Sequence, residues 1–488
     1  MLKVTCINKI RDKRGIITHY NIQDVTGKTK IVTAQSLKEA IRNKKVNCVN
    51  LILTSDNRLI SKVEKQQTSI NRTSKIIAKI RALGMGDSFK LGDGMYIIED
   101  NDILLKGCLV ECGTFTIPDF VTGLYYSESD GYEFESTHVC PAFNDCKGSL
   151  KVINNSQITD MSGLFNECIN IEYLDLREFN FSKITSMSEA FANCASLTKI
   201  EFGKADTSSV KYMDRVFKGC YSLKDINLSG INTSAVTSMT EMFRLCLSLE
   251  HVNMKGFNTS SVLFLTHMFS ECRNLKTIDL SNFDTHNAVS MRSMFYKCES
   301  IEHIGISNFD TSKVEDLSGM FAQCENLKDI DLSNFNTLNV SDMGRMFLFC
   351  SSLKRLDLSN FKTPKLRYMK NMFMGCKSLI SVKLDNFVTS EVTDMSGLFS
   401  SCNSLERIDI HRFTTNKLVE FSSVFSCCNN IKYLDISSMS FKELHKNMTR
   451  GNFICCYKLK MKNIKCSSEE DRQIIRSVLE SAIGGLQE

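Results

Sequence analysis

The stretch Cys272-Arg-Asn-Leu-Lys-Thr-Ile-Asp-Leu-Ser-Asn-Phe-Asp-Thr285 returns with few changes at Cys324–Thr337, so the chain repeats itself. A phenylalanine precedes the cysteine by three residues in both copies, and eleven such phenylalanines stand 26 residues apart. They are Phe165, Phe191, Phe217, Phe243, Phe269, Phe295, Phe321, Phe347, Phe373, Phe399 and Phe425. Each is followed by a cysteine three residues later. A fixed period of this length predicts a stacked array in which each unit contacts only its neighbours.

Each unit also has a regular internal pattern, which we number from that phenylalanine as position zero. Positions +6, +9 and +11 are aliphatic or nearly so, as in Leu275, Ile278 and Leu280. This alternation predicts a half-buried strand that pairs with the same strand of the next unit. The preceding Met291-Arg-Ser-Met-Phe295 has the i, i+3, i+4 spacing of one face of a helical turn. The sequence therefore predicts an α/β leucine-rich-repeat-like solenoid with parallel strands on its concave face.

The consensus Cys-x-x-Leu-x-x-Ile-Asp-Leu-Ser-Asn-Phe-x-Thr resembles the BspA-type leucine-rich repeats of bacterial and protist proteins. The resemblance covers about residues 140–460. It implies a cell-surface or lipid-anchored protein that binds host or matrix partners. The sequence, however, shows no secretory signal, lipobox cysteine, sortase motif or membrane-spanning stretch. We therefore expect a cytoplasmic protein that does not engage a membrane.

The repeats do not extend over the whole chain, and we divide the rest by pattern. The predicted parts are a small α+β head at 1–61, a linker and helix at 62–83, an N-terminal cap with degenerate repeats at 84–150, the solenoid at 151–466 and a C-terminal capping helix at 467–488. In the head we predict strands at 4–10, 16–22, 29–33 and 49–53, and a short helix that Ser36 caps and that runs through Arg42. The head matches no family known to us.

Charge is distributed unevenly along the chain. Residues 1–81 contain 18 Lys and Arg against 5 Asp and Glu, a net +13, so the remainder carries −8 of the total +5. Two basic clusters of the head are candidates for phosphate contacts, with Tyr20 as the one aromatic available for base stacking. They are Lys9, Arg11, Lys13 and Arg14, and Arg42, Lys44 and Lys45. Nucleic acid or nucleoprotein is therefore a candidate partner of residues 1–81, with a solvated lysine-rich surface as the alternative.

The strand side chains at positions +8, +10 and +12 are predicted to face solvent. Position +10 is mostly aspartate, which would form a negative stripe that needs counter-charges because like neighbours repel. Position +8 varies most between units, as a specific binding face requires, although neutral drift gives the same pattern. We predict that a protein partner contacts seven residues of this face. They are Asp331, Arg355, Asp357, Arg407, Asp409, His411 and Tyr433.

The cysteine column is interpreted as a buried packing position, because it has no CxxC pair or clustered histidine that would indicate a metal. The adjacent pairs Cys427-Cys428 and Cys455-Cys456 have no explanation in the sequence. Gly84-Met-Gly86 and Gly92-Asp-Gly94 lack the context of a phosphate-binding loop. We expect no enzyme activity, catalytic residue, metal or cofactor.

The sequence thus favours a non-enzymatic protein-binding solenoid whose basic head makes a second contact. Two alternatives stay open. One is a phage or mobile-element inhibitor of a host nucleic-acid-directed defence complex, suggested by surface-type repeats joined to a basic module. The other is a surface adhesin exported without a recognisable signal, as the family resemblance implies.

Overall fold

The computed structural model describes residues 2–11, 16–24, 26, 28–43, 46–48, 51–53, 59–61, 87–99, 102–119, 121–124, 141–441 and 451–483. The chain divides into two compact units, Met1–Met85 and Gly86–Glu488. The linker and helix predicted at 62–83 lie outside the described residues. The predicted fold class is confirmed, since the second unit is a parallel β-solenoid with 26-residue spacing and the first contains strands and a helix.

The first unit contains a four-stranded sheet in the order β3-β2-β1-β4 and a separate hairpin of β5 and β6. The elements are β1 (Leu2–Arg11), β2 (Ile17–Asp24), β3 (Thr29–Thr33), α1 (Ala34–Arg42), β4 (Val46–Cys48), β5 (Leu51–Leu53) and β6 (Leu59–Ser61). Helix α1 begins at Ala34, and its cap is Thr33 rather than the predicted Ser36, because the Thr33 hydroxyl accepts the Ser36 N–H at 3.1 Å. Tyr20 is 2% exposed and shares a small core with Leu37, so its ring is not available for base stacking.

The second unit begins with a sheet in the order β11-β9-β8-β7. Its strands are β7 (Ser88–Leu91), β8 (Gly94–Glu99), β9 (Asp102–Cys108) and β11 (Gly123–Leu124). Strand β10 (Gly113–Ile117) instead pairs in parallel with β12 (Gly148–Asn154), which begins the ladder of the solenoid. Phe143, in a short 3₁₀ turn over Pro141–Phe143, stacks on Phe165 at 4.8 Å. The degenerate stretch therefore contributes a rung beneath the regular repeats.

The regular coils stack in parallel, in the register that the period predicts. Their strands are β13 (Ile171–Asp175), β14 (Lys199–Glu201), β15 (Asp225–Asn227), β16 (His251–Asn253), β17 (Arg355–Asp357), β18 (Ser381–Lys383), β19 (Arg407–Asp409) and β20 (Tyr433–Asp435). A second line of parallel bridges links position −5 of successive coils from Asp160 to Glu420. The last coil ends in β21 (Ile464–Lys465), and α2 (Glu469–Ile483) follows a 3₁₀ turn and that strand. Ile475, Val478 and Leu479 of α2 are buried.

The core consists of continuous columns of identical side chains. All eleven repeat phenylalanines are buried, and neighbouring rings stack with centroids 5.4 to 6.3 Å apart. The cysteine column is buried as well. From Cys194 to Cys428, each thiol donates to the carbonyl oxygen of the phenylalanine one coil earlier, at 3.0 to 3.2 Å. Burial raises the pKa of these thiols, to about 12 for Cys246, which fits a packing role.

The Met-x-x-Met-Phe segments are not helical turns, as the spacing had suggested. In the segment from Met343 to Phe347, Arg345 has a left-handed φ of 58°, and the same position is left-handed in every coil. The amides of Met343, Arg345 and Phe347 bond to carbonyls of the next coil at 2.8 to 2.9 Å. Met343, Met346 and Phe347 are nevertheless fully buried. The segment is therefore a run of tight turns that presents the predicted apolar face without forming a helix.

Candidate binding surface

We call the outward side chains at positions +8, +10 and +12, from residue 173 to residue 437, the strand face. In β19 the intervening Ile408 and the following Ile410 are buried, whereas Arg407, Asp409 and His411 are exposed. This alternation matches the prediction of inward positions +9 and +11. The face thus consists of polar side chains fixed on a rigid ladder, each one coil from its neighbour.

The strand face is not one continuous sheet. The strands of the regular coils pair in separate short sheets, β13 with β14, β15 with β16, β17 with β18 and β19 with β20. The three coils between β16 and β17 show no paired strand at positions +8 to +10 among the described residues. One of these coils has Gly305 at position +10, and glycine disfavours the extended conformation of a strand. The sequence had predicted a pairing strand in every unit. The predicted site residue Asp331 lies in this interval.

The aspartate column at position +10 has a local structural role. The carboxylates of Asp279, Asp331 and Asp357 each accept the backbone N–H of the serine two residues later, at 3.0 Å. Such a bond turns the chain at the end of the strand. The bonds lower the pKa of Asp279 and Asp331 from the usual aspartate value. Much of the predicted stripe is therefore explained by the coil itself.

Four of the seven predicted residues form one group, which we call the C-terminal cluster: Arg407, Asp409, His411 and Tyr433. The Arg407 guanidinium lies over the Tyr433 ring, 4.0 Å from its centroid, and Nη2 contacts Asp409 Oδ2 at 3.0 Å. His411 Nδ1 lies 2.7 Å from Asp409 Oδ1. Partial burial raises the pKa of Asp409, but the bonds from His411 and Arg407 leave it below the ordinary value. The counter-charges expected for this aspartate are therefore present.

The C-terminal cluster continues into the last coil. The Tyr433 hydroxyl donates to Asp435 Oδ2 at 3.0 Å, and Lys465 Nζ lies 3.3 Å from the same oxygen. Asp435 itself is 5% exposed. Lys465 and Arg407 therefore bracket the Tyr433 ring with positive charge, and they hold the ring in place on the surface.

The other three predicted residues lie in two neighbouring coils. Asp357 Oδ2 accepts from Lys383 Nζ at 2.7 Å, and its Oδ1 accepts from the Ser359 hydroxyl at 2.6 Å. Arg355 and Asp331 are exposed. Arg355 has no ion-pair partner among the residues that the structure describes. This part of the strand face thus presents a cation that is available to a partner.

The Asp357–Lys383 pair gives a prediction on titration. Bonds from Lys383 and Ser359 hold the pKa of Asp357 at about 2. We expect Lys383→Met to raise this pKa toward the ordinary value of about 3.9. Because the folded pKa is depressed, the pair stabilises the fold above the unfolded pKa, and this contribution is lost as pH falls toward 2. A carboxyl NMR titration of aspartate-labelled protein measures the shift, and Lys276→Met, whose lysine pairs with Glu250, is the matched control. An unchanged Asp357 titration would refute the assignment.

A groove at the N-terminal end of the strand face was not predicted from the sequence. Its volume is about 880 Å³, and its lining includes Lys199, Glu201, Asn227, His251 and Asn253. Gly203 and Gly230 line the groove, at positions where most other coils have larger residues. These two glycines were the feature of the sequence that could have indicated the groove.

Charged side chains flank this groove. Arg177 pairs with the buried Asp175 through two bonds of 2.9 and 2.7 Å, and it also contacts Glu201 at 3.3 Å. Lys199 contacts Glu201 at 2.7 Å and lies 5.5 Å from the centroid of the Tyr173 ring. Both ends of the strand face therefore combine a tyrosine, a cation and a carboxylate, although only the C-terminal end was predicted.

The basic head can be assessed in part. Lys9 and Arg11 lie on β1 and Arg42 lies in the last turn of α1, with Arg11 and Arg42 exposed. Lys13, Arg14, Lys44 and Lys45 lie outside the described residues. The structure therefore places the described members of the two clusters on different elements of one sheet-and-helix unit, and the phosphate-binding hypothesis stays a prediction.

The described residues lack two other kinds of feature. Within them, no group of three or more His, Cys, Asp and Glu side chains is arranged to hold a metal ion. Within the same residues, no helix combines the length and the apolar character required to cross a bilayer.

Comparison with known families identifies the repeat. A family model described as "Mycoplasma protein of unknown function, DUF285" matches residues 137–251, 188–304, 264–381, 289–406 and 349–459. These overlapping segments span more than half of the chain. The chain belongs to this family. The DUF285 segments contain both ends of the strand face and exclude the basic head, and the likeness to BspA-type repeats stays a resemblance. No curated protein matches the chain.

Proposed function

We propose that this protein is a non-enzymatic cytoplasmic scaffold that binds a protein partner along its strand face, the side predicted to be concave. The observation that carries the proposal is the C-terminal cluster, in which Arg407 is stacked on Tyr433 at 4.0 Å and tied to Asp409 at 3.0 Å. Arginine and tyrosine dominate the energetics of protein interfaces. Here both side chains are already ordered, so a partner that covers them loses little side-chain entropy.

The ladder beneath the cluster supports the same function. A strand face that varies at position +8 over a constant core separates recognition from folding, as in other solenoids that bind proteins. The exposed Arg355 and the neighbouring Asp331 extend the surface by two to three coils beyond the cluster. The resemblance to BspA-type repeats, whose members bind macromolecules, points in the same direction.

The basic head supplies the second contact in this proposal. Its excess of positive charge favours an acidic or phosphate-bearing surface. An inhibitor of a nucleic-acid-directed complex would use the same two surfaces, one for protein and one for nucleic acid, and it remains the alternative hypothesis for the same geometry.

The proposal predicts the outcome of affinity capture with the full chain as bait in lysate of its native host. We expect Arg407→Glu, and separately the combined Asp331→Lys, Asp357→Lys and Asp409→Lys variant, to reduce recovery of a specific protein at least tenfold. Tenfold corresponds to about 1.4 kcal/mol, a modest loss for a central interface residue. Quantitative mass spectrometry measures the recovery.

The matched control is Lys417→Glu. This charge change lies outside the strand face, on a lysine that pairs with Glu391 at 2.6 Å, and it should leave recovery unchanged. Equal recovery with the wild type and both strand-face variants would contradict the proposed surface.

A further inference from the structure

Two cysteines meet where the N-terminal sheet joins the first coil. Cys108 ends β9, and Cys146 follows the 3₁₀ turn over Pro141–Phe143. The Cys146 thiol donates to the Val110 carbonyl oxygen at 3.0 Å, and the Cys108 thiol lies 3.8 Å from the same oxygen. The two thiols therefore approach one carbonyl oxygen from two different elements of the fold. Both cysteines are free, and they are buried with exposed fractions of 8% and 0%.

This pair differs from the rest of the cysteine column. Cys146 occupies the column position, three residues after Phe143, whose ring stacks on that of Phe165. The column thiols from Cys194 onward bond to a phenylalanine carbonyl one coil earlier. Below Cys146 lies strand β9 instead of a regular coil, and Cys108 is the last residue of that strand. The acceptor of this column thiol is therefore the Val110 carbonyl oxygen, and the Cys108 thiol lies beside the same oxygen.

The backbone around the pair holds the two elements together. Lys147 N–H donates to the Glu111 carbonyl at 2.6 Å, and Leu109 N–H donates to the Asp93 carbonyl at 2.8 Å. These bonds fix the neighbours of both cysteines. Because both thiols lie beside one carbonyl oxygen on backbones held in this way, side-chain rotation is the movement that would bring the sulfurs to the bonding distance of about 2.05 Å.

We propose that Cys108 and Cys146 form a disulfide that locks the N-terminal sheet onto the first coil under oxidising conditions. The oxidant is a low-molecular-weight disulfide. The Cys108 thiolate attacks one of its sulfurs and forms a mixed disulfide, and the first thiolate that leaves takes up a proton. Cys146 then gives its proton to solvent and attacks the Cys108 sulfur, which releases the second small thiolate. Two electrons pass from the protein to the oxidant, which becomes two thiols.

The surroundings of the two cysteines indicate which thiol attacks the oxidant first. The neighbouring Cys146 thiol lowers the pKa of Cys108, whereas the neighbouring Cys108 and burial raise the pKa of Cys146. The thiolate is the attacking species in such exchange, so Cys108 is the first nucleophile and Cys146 the resolving thiol. Disulfides persist in oxidising compartments and are rare in the cytosol. The redox state of the pair in its native host therefore reports the compartment of the protein.

The test uses the full chain equilibrated in glutathione buffers of increasing oxidised fraction, followed by acid quenching, alkylation and peptide mass spectrometry. We expect a Cys108–Cys146 linked peptide that lacks two hydrogen atoms, and its complete loss in both Cys108→Ser and Cys146→Ser. Cys112, four residues from Cys108 and exposed, provides the matched control. Cys112→Ser should leave the linked peptide unchanged.

The readout distinguishes local pairing from adventitious oxidation. Linkage of Cys112 to either cysteine in place of the pair, or alkylation of Cys108 and Cys146 in the most oxidising buffer, would overturn the proposal. Should Cys146→Ser fail to fold, alkylation of Cys108 after denaturation decides the same question: it should be complete in reduced wild type and absent in oxidised wild type, and complete alkylation in both would overturn the proposal.

Discussion

Replacement of Phe269 by alanine should lower the free energy of unfolding by about 3–5 kcal/mol, the usual cost of truncating a buried phenylalanine. The Phe269 ring is fully buried and stacks between Phe243 at 5.4 Å and Phe295 at 5.7 Å. Its removal leaves a cavity inside a column that cannot close, because backbone bonds on both sides fix the spacing of the coils. Urea denaturation measures the loss.

The matched control lies five residues earlier in the same coil. Phe264 occupies the line of bridges at position −5 and is 43% exposed, so Phe264→Ala removes little buried surface. We expect a change of about 0.5–1 kcal/mol. Because coils contact only their neighbours, hydrogen exchange in Phe269→Ala should accelerate most in that coil and the two beside it. Equal destabilisation by the two substitutions would contradict the assignment of the phenylalanine column to the core.

The core could be predicted from the sequence because a strict period fixes which residues stack. Once Phe165 and Phe191 are equivalent, their rings must adjoin, and the structure places the centroids 5.5 Å apart. The same periodicity predicted a packing position for Cys194, although only the structure shows that its thiol bonds to the Phe165 carbonyl. Position +9 and position +11 followed from alternation alone.

Other features could be recognised only from the backbone conformation. The spacing of Met343 and Phe347 fits a helical turn equally well, and only the left-handed φ of Arg345 shows that the amides bond to the next coil. Likewise, the aspartate column was predicted to be a binding stripe, whereas in the structure Asp331 accepts the Ser333 N–H. Sequence periodicity reports which side chains are equivalent and does not report which backbone group each one satisfies.

The candidate site was predicted unevenly for a related reason. Arg407 and Tyr433 are both at the variable position +8 of adjacent coils, so their proximity followed from the register. The lining of the N-terminal groove instead includes Gly203 and Gly230, which have no side-chain chemistry that would single them out in the sequence. The groove therefore becomes visible only when the coils are stacked.

A second large effect is expected from Thr311→Val, which preserves shape and removes a hydroxyl. Thr311 is fully buried, donates to the Asn336 carbonyl oxygen at 2.9 Å and accepts the Asn336 N–H at 2.8 Å. The substitution leaves both backbone groups of Asn336 unpaired, at about 1–3 kcal/mol each. We expect the free energy of unfolding to fall by about 2–4 kcal/mol in urea denaturation.

Two further variants test whether the hydroxyl or the packing is responsible. Thr311→Ser keeps both bonds and should recover most of the loss, whereas Thr277→Val changes an exposed threonine of the strand face and should alter stability by no more than about 0.5 kcal/mol. The threonine column repeats this arrangement in successive coils, as Thr207 with Asn232 and Thr233 with Asn258 show. Each hydroxyl thus completes the backbone bonding of the coil above it. A Thr311→Val variant as stable as the wild type would show that the threonine column contributes packing alone. The hydrogen bonds of its hydroxyl groups would then not be needed to hold neighbouring coils together.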